Sequence, residues 1–120
     1  MILADTSLWI DHLRGGDAEF AAWLDIGQVL THPFVIGELA VGNLNRRELL
    51  LHDLARLPPA VVARPEEVLA LISREKLYGL GLGYVDAALL ASVLLTPAAT
   101  LKTRDRRLQR VADRLRTANP

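Results

Sequence analysis

The chain has 120 residues, of which 51% are hydrophobic, and its formal net charge is zero; these values fit one domain with a substantial core. The absence of cysteine excludes disulfides and thiolate metal sites, and zero net charge gives no global field that attracts a polyanion. The N-terminus lacks a signal-peptide pattern and no apolar run reaches the ~18 residues of a membrane span, so we expect a cytoplasmic protein without membrane contact.

Short apolar runs predict four β-strands, and apolar residues at helical spacing predict the helices between them. In chain order the predicted strands are Ile2–Ala4, Val29–Thr31, Val61–Val62 and Ala99–Leu101. The predicted helices begin at prolines or polar residues, namely Thr6 or Ser7, Asp17, Pro33, Asn45, Pro65, Tyr84 and Arg104. Strands that alternate with helices imply a parallel sheet covered on both faces. We therefore expect one domain over residues 1–120 with an α/β fold, a three-layer α/β/α sandwich.

Three long apolar stretches each contain one charged residue, and each time it is a carboxylate. Asp5 lies in residues 1–10, Glu38 in residues 26–45 and Asp86 in residues 77–101; Asp105 follows the last stretch almost at once. A buried carboxylate is costly unless a cation or hydrogen bonds compensate it. Asp5 follows the first strand and Asp105 the last, and open parallel sheets bind ligands beyond the carboxyl ends of their strands. We therefore expect the acids to share one site.

Each acid also has an ordinary structural role that the sequence leaves open. Asp5 fits an N-cap, and Asp86 fits the first turn of a helix, whose dipole favours negative charge. Glu38 can reach solvent from an amphipathic helix, and Asp105 can pair with the arginines beside it. It would be a coincidence if all four acids had only these ordinary roles, so the sequence favours a shared site. Oxygen ligands without cysteine or suitably spaced histidines indicate Mg²⁺ or Mn²⁺, and phosphodiester hydrolysis is the natural use of such a set.

The end of the chain is basic. Residues 102–116 hold seven of the 14 lysines and arginines and only two acids. Arg106, Arg110 and Arg114 recur at four-residue spacing and therefore share a helix face. This face either steers RNA toward the acids or is a simple solvated surface.

The residues around the four acids resemble the motifs of PIN-domain ribonucleases, and most closely those of VapC-type toxins of prokaryotic toxin–antitoxin pairs. The resembling segments, in the family's order, are Leu3–Ser7, Ile36–Leu39 with Gly42, Gly81–Ala87 and Leu101–Leu108. Together they span essentially the whole chain. The resemblance implies a metal-dependent endoribonuclease, the toxin of a type II toxin–antitoxin system.

The resemblance also implies roles for single residues and for partners. The catalytic and metal-binding residues around Mg²⁺ or Mn²⁺ would be Asp5, Glu38, Asp86 and Asp105. The residues that would support the site or contact RNA are Thr6, Thr103 and Arg104. The implied partners are a second copy in a homodimer and a cognate antitoxin protein that wraps the toxin and occludes the site. Because Leu108 and Gln109 stand where some relatives carry a further acid, the number of metal ions, one or two, stays open.

Two other functions fit this length and alternation of elements. A phospho-receiver domain needs adjacent acids after its first strand, whereas here Ala4 precedes Asp5. A catalytically inactive PIN-like binding or regulatory module would keep the fold and only engage a partner. The presence of all four acids argues against such a module, and carboxylate-dependent Mn²⁺ binding would separate the two. The sequence does not identify the RNA or the position at which it is cut.

Overall fold

A computed structural model describes residues 1–118. The described part of the chain forms three strands and seven helices. In chain order they are β1 (Ile2–Ala4), α1 (Thr6–Gly15), α2 (Ala18–Asp25), β2 (Val29–Leu30), α3 (Pro33–Ala40), α4 (Arg47–Ala55), α5 (Pro65–Arg74), α6 (Tyr84–Leu95), β3 (Thr100–Lys102) and α7 (Arg106–Ala118). None of these helices is both long and apolar enough to cross a membrane.

The three strands form one parallel sheet in the order β2-β1-β3, so β1 is central. Leu3 of β1 lies beside Leu30 of β2 and Leu101 of β3, and all three side chains are buried. Strands this apolar are typical of a parallel sheet with both faces covered. Because the strands are parallel, their carboxyl ends share one edge of the sheet, where Asp5 follows β1 and Thr103 follows β3.

Helices pack against this sheet. α1 contacts β1, whereas α6 and α7 contact β3. Every residue of α6 from Ala87 to Ser92 is buried, which makes α6 the main source of core side chains. Phe20 of α2 is fully buried, and its ring meets that of Trp9 edge to face at 4.7 Å. The arrangement confirms the α/β/α sandwich that the sequence predicts.

The predicted strand Val61–Val62 is wrong. This segment is irregular, and the nearby pairing with the sheet is an isolated bridge. The Val61 N–H donates to Thr96 Oγ1 at 2.9 Å, and the Ala63 N–H donates to Ser92 Oγ at 3.1 Å. The hydroxyl groups of Ser92 in α6 and of Thr96, which directly follows α6, therefore satisfy backbone donors that a strand would have used.

The other predicted elements exist, with small shifts at their ends. β1 and α6 have the predicted bounds, and β2 and β3 each differ from them by one residue. α1 is capped by Asp5 rather than by Thr6 or Ser7. α4 starts after Arg46, which has a left-handed backbone with φ 52°, rather than after Asn45. α7 starts at Arg106 and not at the predicted Arg104.

Candidate active site

Asp5 ends β1 and starts α1, and its side chain is only 6% exposed. Its Oδ1 accepts a hydrogen bond from the Leu8 N–H at 3.1 Å, the bond of an N-cap, and another from Ser7 Oγ at 2.7 Å. Its Oδ2 accepts a hydrogen bond from Thr103 Oγ1 at 2.5 Å. Three donors therefore compensate this buried carboxylate and fix its orientation.

The hydroxyl group of Thr103 connects two of the acids. It donates to Asp5 and accepts from the Asp105 N–H at 3.0 Å. Ser7 reinforces this connection, because its Oγ accepts from the Arg104 N–H at 3.0 Å and lies 3.2 Å from Thr103 Oγ1. The loop that carries Asp105 is thereby held at the β1–α1 junction that carries Asp5.

Asp105 and Asp86 each lie at the start of a helix. Asp105 is exposed, and its Oδ1 accepts hydrogen bonds from the N–H groups of Arg107 at 2.9 Å and Leu108 at 3.3 Å. Asp86 is half-buried in the first turn of α6, where its Oδ2 accepts from the Gly83 N–H at 3.0 Å. Both carboxylates satisfy donors that a helix N-terminus leaves free. Asp105 forms none of the ion pairs found in the described part of the chain.

Glu38 is exposed on α3 and belongs to the same network of side chains. Its Oε1 accepts a hydrogen bond from Thr6 Oγ1 at 2.7 Å, so α3 is tied to the first residue of α1 directly after Asp5. Thr6 is thus hydrogen-bonded to one of the acids, and its role in supporting the site or contacting RNA stays a prediction. Each of the four acids has a local bonding role, and the local roles do not prevent the acids from converging.

The pKa of Asp86 reflects its burial and the charge of the other three acids. Burial raises the pKa of its carboxyl group above the ordinary value of 3.8, and the Gly83 N–H lowers the pKa in opposition. Negative charge on three other residues raises this pKa further, and these residues are Asp5, Asp105 and Glu38. These three acids therefore lie near enough to Asp86 for their charge to act on it.

These carboxylates suit a hard divalent cation because they offer only oxygen donors. A cation among them would also compensate the repulsion that raises the pKa of Asp86. Within residues 1–118, no three Asp, Glu, His or Cys side chains already stand as ligands around one ion. The fit to Mg²⁺ or Mn²⁺ thus rests on donor chemistry and uncompensated negative charge rather than on a preformed cage.

Arg104 is engaged within the chain. Its Nε donates to Asp11 Oδ2 at 2.9 Å, and its Nη2 donates to Asp17 Oδ2. The hydrogen bond from the Phe20 N–H lowers the pKa of the Asp17 carboxyl below its ordinary value of 3.8, and Arg104 lowers this pKa further. The guanidinium therefore ties the loop of Asp105 to α1 and to the start of α2.

A second arginine lies against the loop that precedes α6. A Cβ atom at Gly81 would lie 2.0 Å from Arg107 Nη1, so the guanidinium packs directly on the glycine backbone. The φ of +80° at Gly81 also favours glycine. Arg107 thus connects the start of α7, next to Asp105, with the loop that leads to Asp86.

Comparison with known proteins places this chain in a family. The model of the PIN domain matches residues 2–114. The chain belongs to the PIN-domain family. It is 49% identical over 109 residues to Ribonuclease VapC32 of Mycobacterium tuberculosis, in strain CDC 1551 / Oshkosh and in strain ATCC 25618 / H37Rv; the match covers 91% of this chain and 88% of each relative. No solved structure gave a significant match. These matches confirm the VapC-type resemblance of the sequence motifs.

Two residues that organise this PIN domain's acids escaped the sequence analysis. Ser7 is a predicted helix cap within the segment Leu3–Ser7, yet it also bonds Asp5 and the loop after β3. Gln109 was noted only as a non-acidic residue, yet its Oε1 accepts from the Thr103 N–H at 3.1 Å. Neither contact is visible in the sequence, because single polar residues on helices are common, and the contact of Ser7 with Arg104 joins residues 97 positions apart.

Proposed function

We propose that this protein is a metal-dependent endoribonuclease that hydrolyses RNA phosphodiester bonds with Mg²⁺ or Mn²⁺. The observation that carries the proposal is the position of Asp86, whose pKa is raised by burial and by the negative charge of Asp5, Asp105 and Glu38. Such mutual repulsion is a cost that a bound cation would remove, and perturbed carboxylates of this kind cluster at functional sites. The name of the VapC32 relatives, which are ribonucleases, supports the same activity.

In this proposal Asp5, Asp86 and Asp105 hold the cation, and Glu38 binds it directly or through water. A divalent cation in this position would supply a more acidic bound water and polarise a phosphate oxygen. Asp5 acts as the fixed point of the set, because three hydrogen bonds orient it. Glu38 and Asp105 are exposed and so can reach an incoming strand.

The basic face of α7 is the proposed approach for the RNA backbone. Arg106 and Arg110 are exposed, whereas Arg114 donates through Nη2 to the backbone oxygen of Glu75 at 3.2 Å. Positive charge beside an acidic site attracts phosphates and partly offsets repulsion between RNA and the carboxylates. The alternative, an inactive PIN-like binding module, has no need for four converging acids, and it predicts no cleavage by metal-loaded protein.

The substitution Asp86→Asn tests the activity with the least risk to folding. An asparagine oxygen can still accept the Gly83 N–H, and removal of the charge relieves the repulsion from the other acids. Purified variant and wild type would be incubated with total RNA and Mn²⁺, with EDTA as a second control. We expect discrete fragments from the wild type only.

The matched control is Asp25→Asn. It makes the same chemical change at an exposed acid at the end of α2, just before the amino end of β2 and away from the carboxyl edge of the sheet. This control should cleave like the wild type. Equal cleavage by Asp86→Asn, or no cleavage by folded, metal-loaded wild type, would refute the proposed activity, and the second result would favour the binding module.

We also propose that the chain is the toxin of a type II pair and binds a cognate antitoxin protein. Support comes from the VapC-type resemblance and from an open groove of about 570 Å³ between α1, α3 and residues 42–45. Ile10 and Leu13 line it and are 37% and 42% exposed. Glu38 lines the same groove, so a segment that fills it would reach one of the four acids. Leu13→Glu should weaken antitoxin binding and leave RNA cleavage intact.

A homodimer is the last part of the proposal. It is supported by the family resemblance and by apolar side chains that remain exposed, among them Leu69 of α5 at 58%. Light scattering of the isolated protein should give twice the chain mass. A monomer mass over the whole accessible concentration range would contradict it.

A further inference from the structure

The outer edge of β3 is covered by one side chain, that of Gln109. β3 is an edge strand; the Thr100 N–H donates to the Met1 C=O before β1, and the Lys102 C=O accepts from the Asp5 N–H after β1. The peptide groups of Leu101 and Thr103 therefore face away from β1. Gln109 Oε1 accepts from the Thr103 N–H at 3.1 Å, and its Nε2 donates to the Leu101 C=O at 3.2 Å. A side-chain amide thus makes the two bonds that a residue of a further parallel strand would make.

These two bonds lead directly to the acids. Gln109 fixes the backbone of Thr103, and Thr103 is β-branched, so its χ1 is restricted and its hydroxyl direction follows its backbone. That hydroxyl donates to Asp5 and accepts from the Asp105 N–H. Asp113, one turn further along α7, orients the amide itself, because Gln109 Nε2 also donates to Asp113 Oδ1 at 3.0 Å. Hydrogen bonds made through Thr103 therefore connect α7 with the Asp5 carboxylate and with the Asp105 backbone N–H.

We propose that Gln109 is a positioning residue of the acidic site: its amide orients Thr103, which orients Asp5 and the loop of Asp105, and so sets the affinity for the divalent cation. This inference rests on the proposed function, because only a metal-dependent site makes these two orientations matter for activity. In this inference Gln109 supports the site through its amide group, a role for which it needs no negative charge.

The first test is the Mn²⁺ affinity of Gln109→Leu, measured by calorimetry without RNA. Leucine keeps a similar volume but makes neither bond to β3. We expect the dissociation constant for Mn²⁺ to rise about 10-fold, the usual effect of removing a residue that orients metal ligands. The matched control is Gln28→Leu, the same change at a half-buried position before β2, at the opposite end of the sheet. It should bind Mn²⁺ like the wild type.

A second test separates positioning from loss of stability. Val68→Ala truncates a core side chain of α5 that is 1% exposed, so it destabilises the fold without touching the site. This variant should have a lower Tm but an unchanged Mn²⁺ affinity. In metal-free protein, hydrogen exchange of the Thr103 amide should speed up about 10-fold in Gln109→Leu.

The outcomes distinguish this inference from the proposed function. Unchanged Mn²⁺ affinity in Gln109→Leu, or an equal loss of affinity in Val68→Ala, overturns the positioning role and leaves the ribonuclease proposal standing. An unchanged exchange rate of the Thr103 amide in Gln109→Leu also overturns the role. A wild-type protein that binds no Mn²⁺ overturns the proposed function and this inference with it.

Discussion

The hydroxyl of Thr103 is the smallest group whose removal should disturb both stability and the acidic site. Thr103→Val keeps the shape of the side chain but deletes the donor to Asp5 and the acceptor for the Asp105 N–H. Asp5 would then keep two donors on Oδ1 and have lost the one observed on Oδ2, although it is only 6% exposed. We therefore expect metal-free Thr103→Val to be less stable than wild type.

The size of the effect follows from the two bonds. A hydrogen bond to a charged group contributes about 1.5–3 kcal/mol, and the bond from Thr103 to Asp5 is of this kind at 2.5 Å. The bond from the Asp105 N–H is exposed, so water can replace it and its loss adds roughly 0.5–1 kcal/mol. The free energy of unfolding should fall by about 2–4 kcal/mol.

Urea denaturation of metal-free protein at neutral pH would measure this loss. Thr103→Ser is the control, because it keeps the hydroxyl and should lose roughly 1 kcal/mol or less. A double-mutant cycle with Asp5→Asn should show coupling between the two side chains of about 1–3 kcal/mol. A loss below about 0.5 kcal/mol in Thr103→Val would mean that solvent replaces the hydroxyl and that Thr103 does not hold Asp5.

Three further predictions concern charge. Asp86→Asn should stabilise metal-free protein at neutral pH. Because the folded-state pKa of Asp86 is raised, the wild type loses stability as the pH rises above 3.8, and the variant does not. In denaturation curves the stability difference between them should therefore appear above pH 3.8 and vanish below it. Burial lowers the pKa of His32, so wild-type stability should fall on acidification below 6.5, by at most about 1.4 kcal/mol per pH unit, and His32→Gln should flatten this slope in a pH series of unfolding curves. Arg104→Gln should lower Tm more in low salt than in high salt, because its exposed pairs with Asp11 and Asp17 are screened; an equal loss at both salt concentrations would contradict their electrostatic role.

The sequence was sufficient for the elements whose local pattern and tertiary environment agree. The apolar run Ile2–Ala4 and the apolar helix Tyr84–Leu95 have the predicted bounds because the apolar pattern of each segment agrees with its place in the core. Val61–Val62 is a β-branched pair that favours a strand, yet the hydroxyls of Thr96 and Ser92 accept the N–H groups of Val61 and Ala63. Residues 61–62 alone do not predict whether their backbone N–H groups bond a neighbouring strand or distant hydroxyl groups.

The candidate site divides in the same way. The four acids were visible in the sequence because a lone carboxylate in an apolar stretch is costly to bury and therefore conspicuous. The contacts of Ser7 and Gln109 were not visible, because a single polar residue in a helix is common; Ser7 bonds a residue 97 positions away, and Gln109 bonds the open edge of a strand. A site residue can be predicted when its burial is unfavourable within its own segment. A role that depends on contacts formed only in the folded protein cannot be predicted in this way.

The acids are held unequally, and this inequality bears on how metal binding and stability are coupled. Asp5 has three donors and is fixed, whereas Asp86 has one donor and is penalised by burial and by the other acids. A site in which every carboxylate was compensated within the chain would gain little from a cation, and a site in which none was compensated would unfold readily. We infer that the unfavourable energy is concentrated at Asp86 and that a cation is stabilising chiefly by relieving it there. Mn²⁺ should therefore raise the Tm of the wild type, and this gain should shrink in Asp86→Asn even though the variant starts from a higher metal-free Tm.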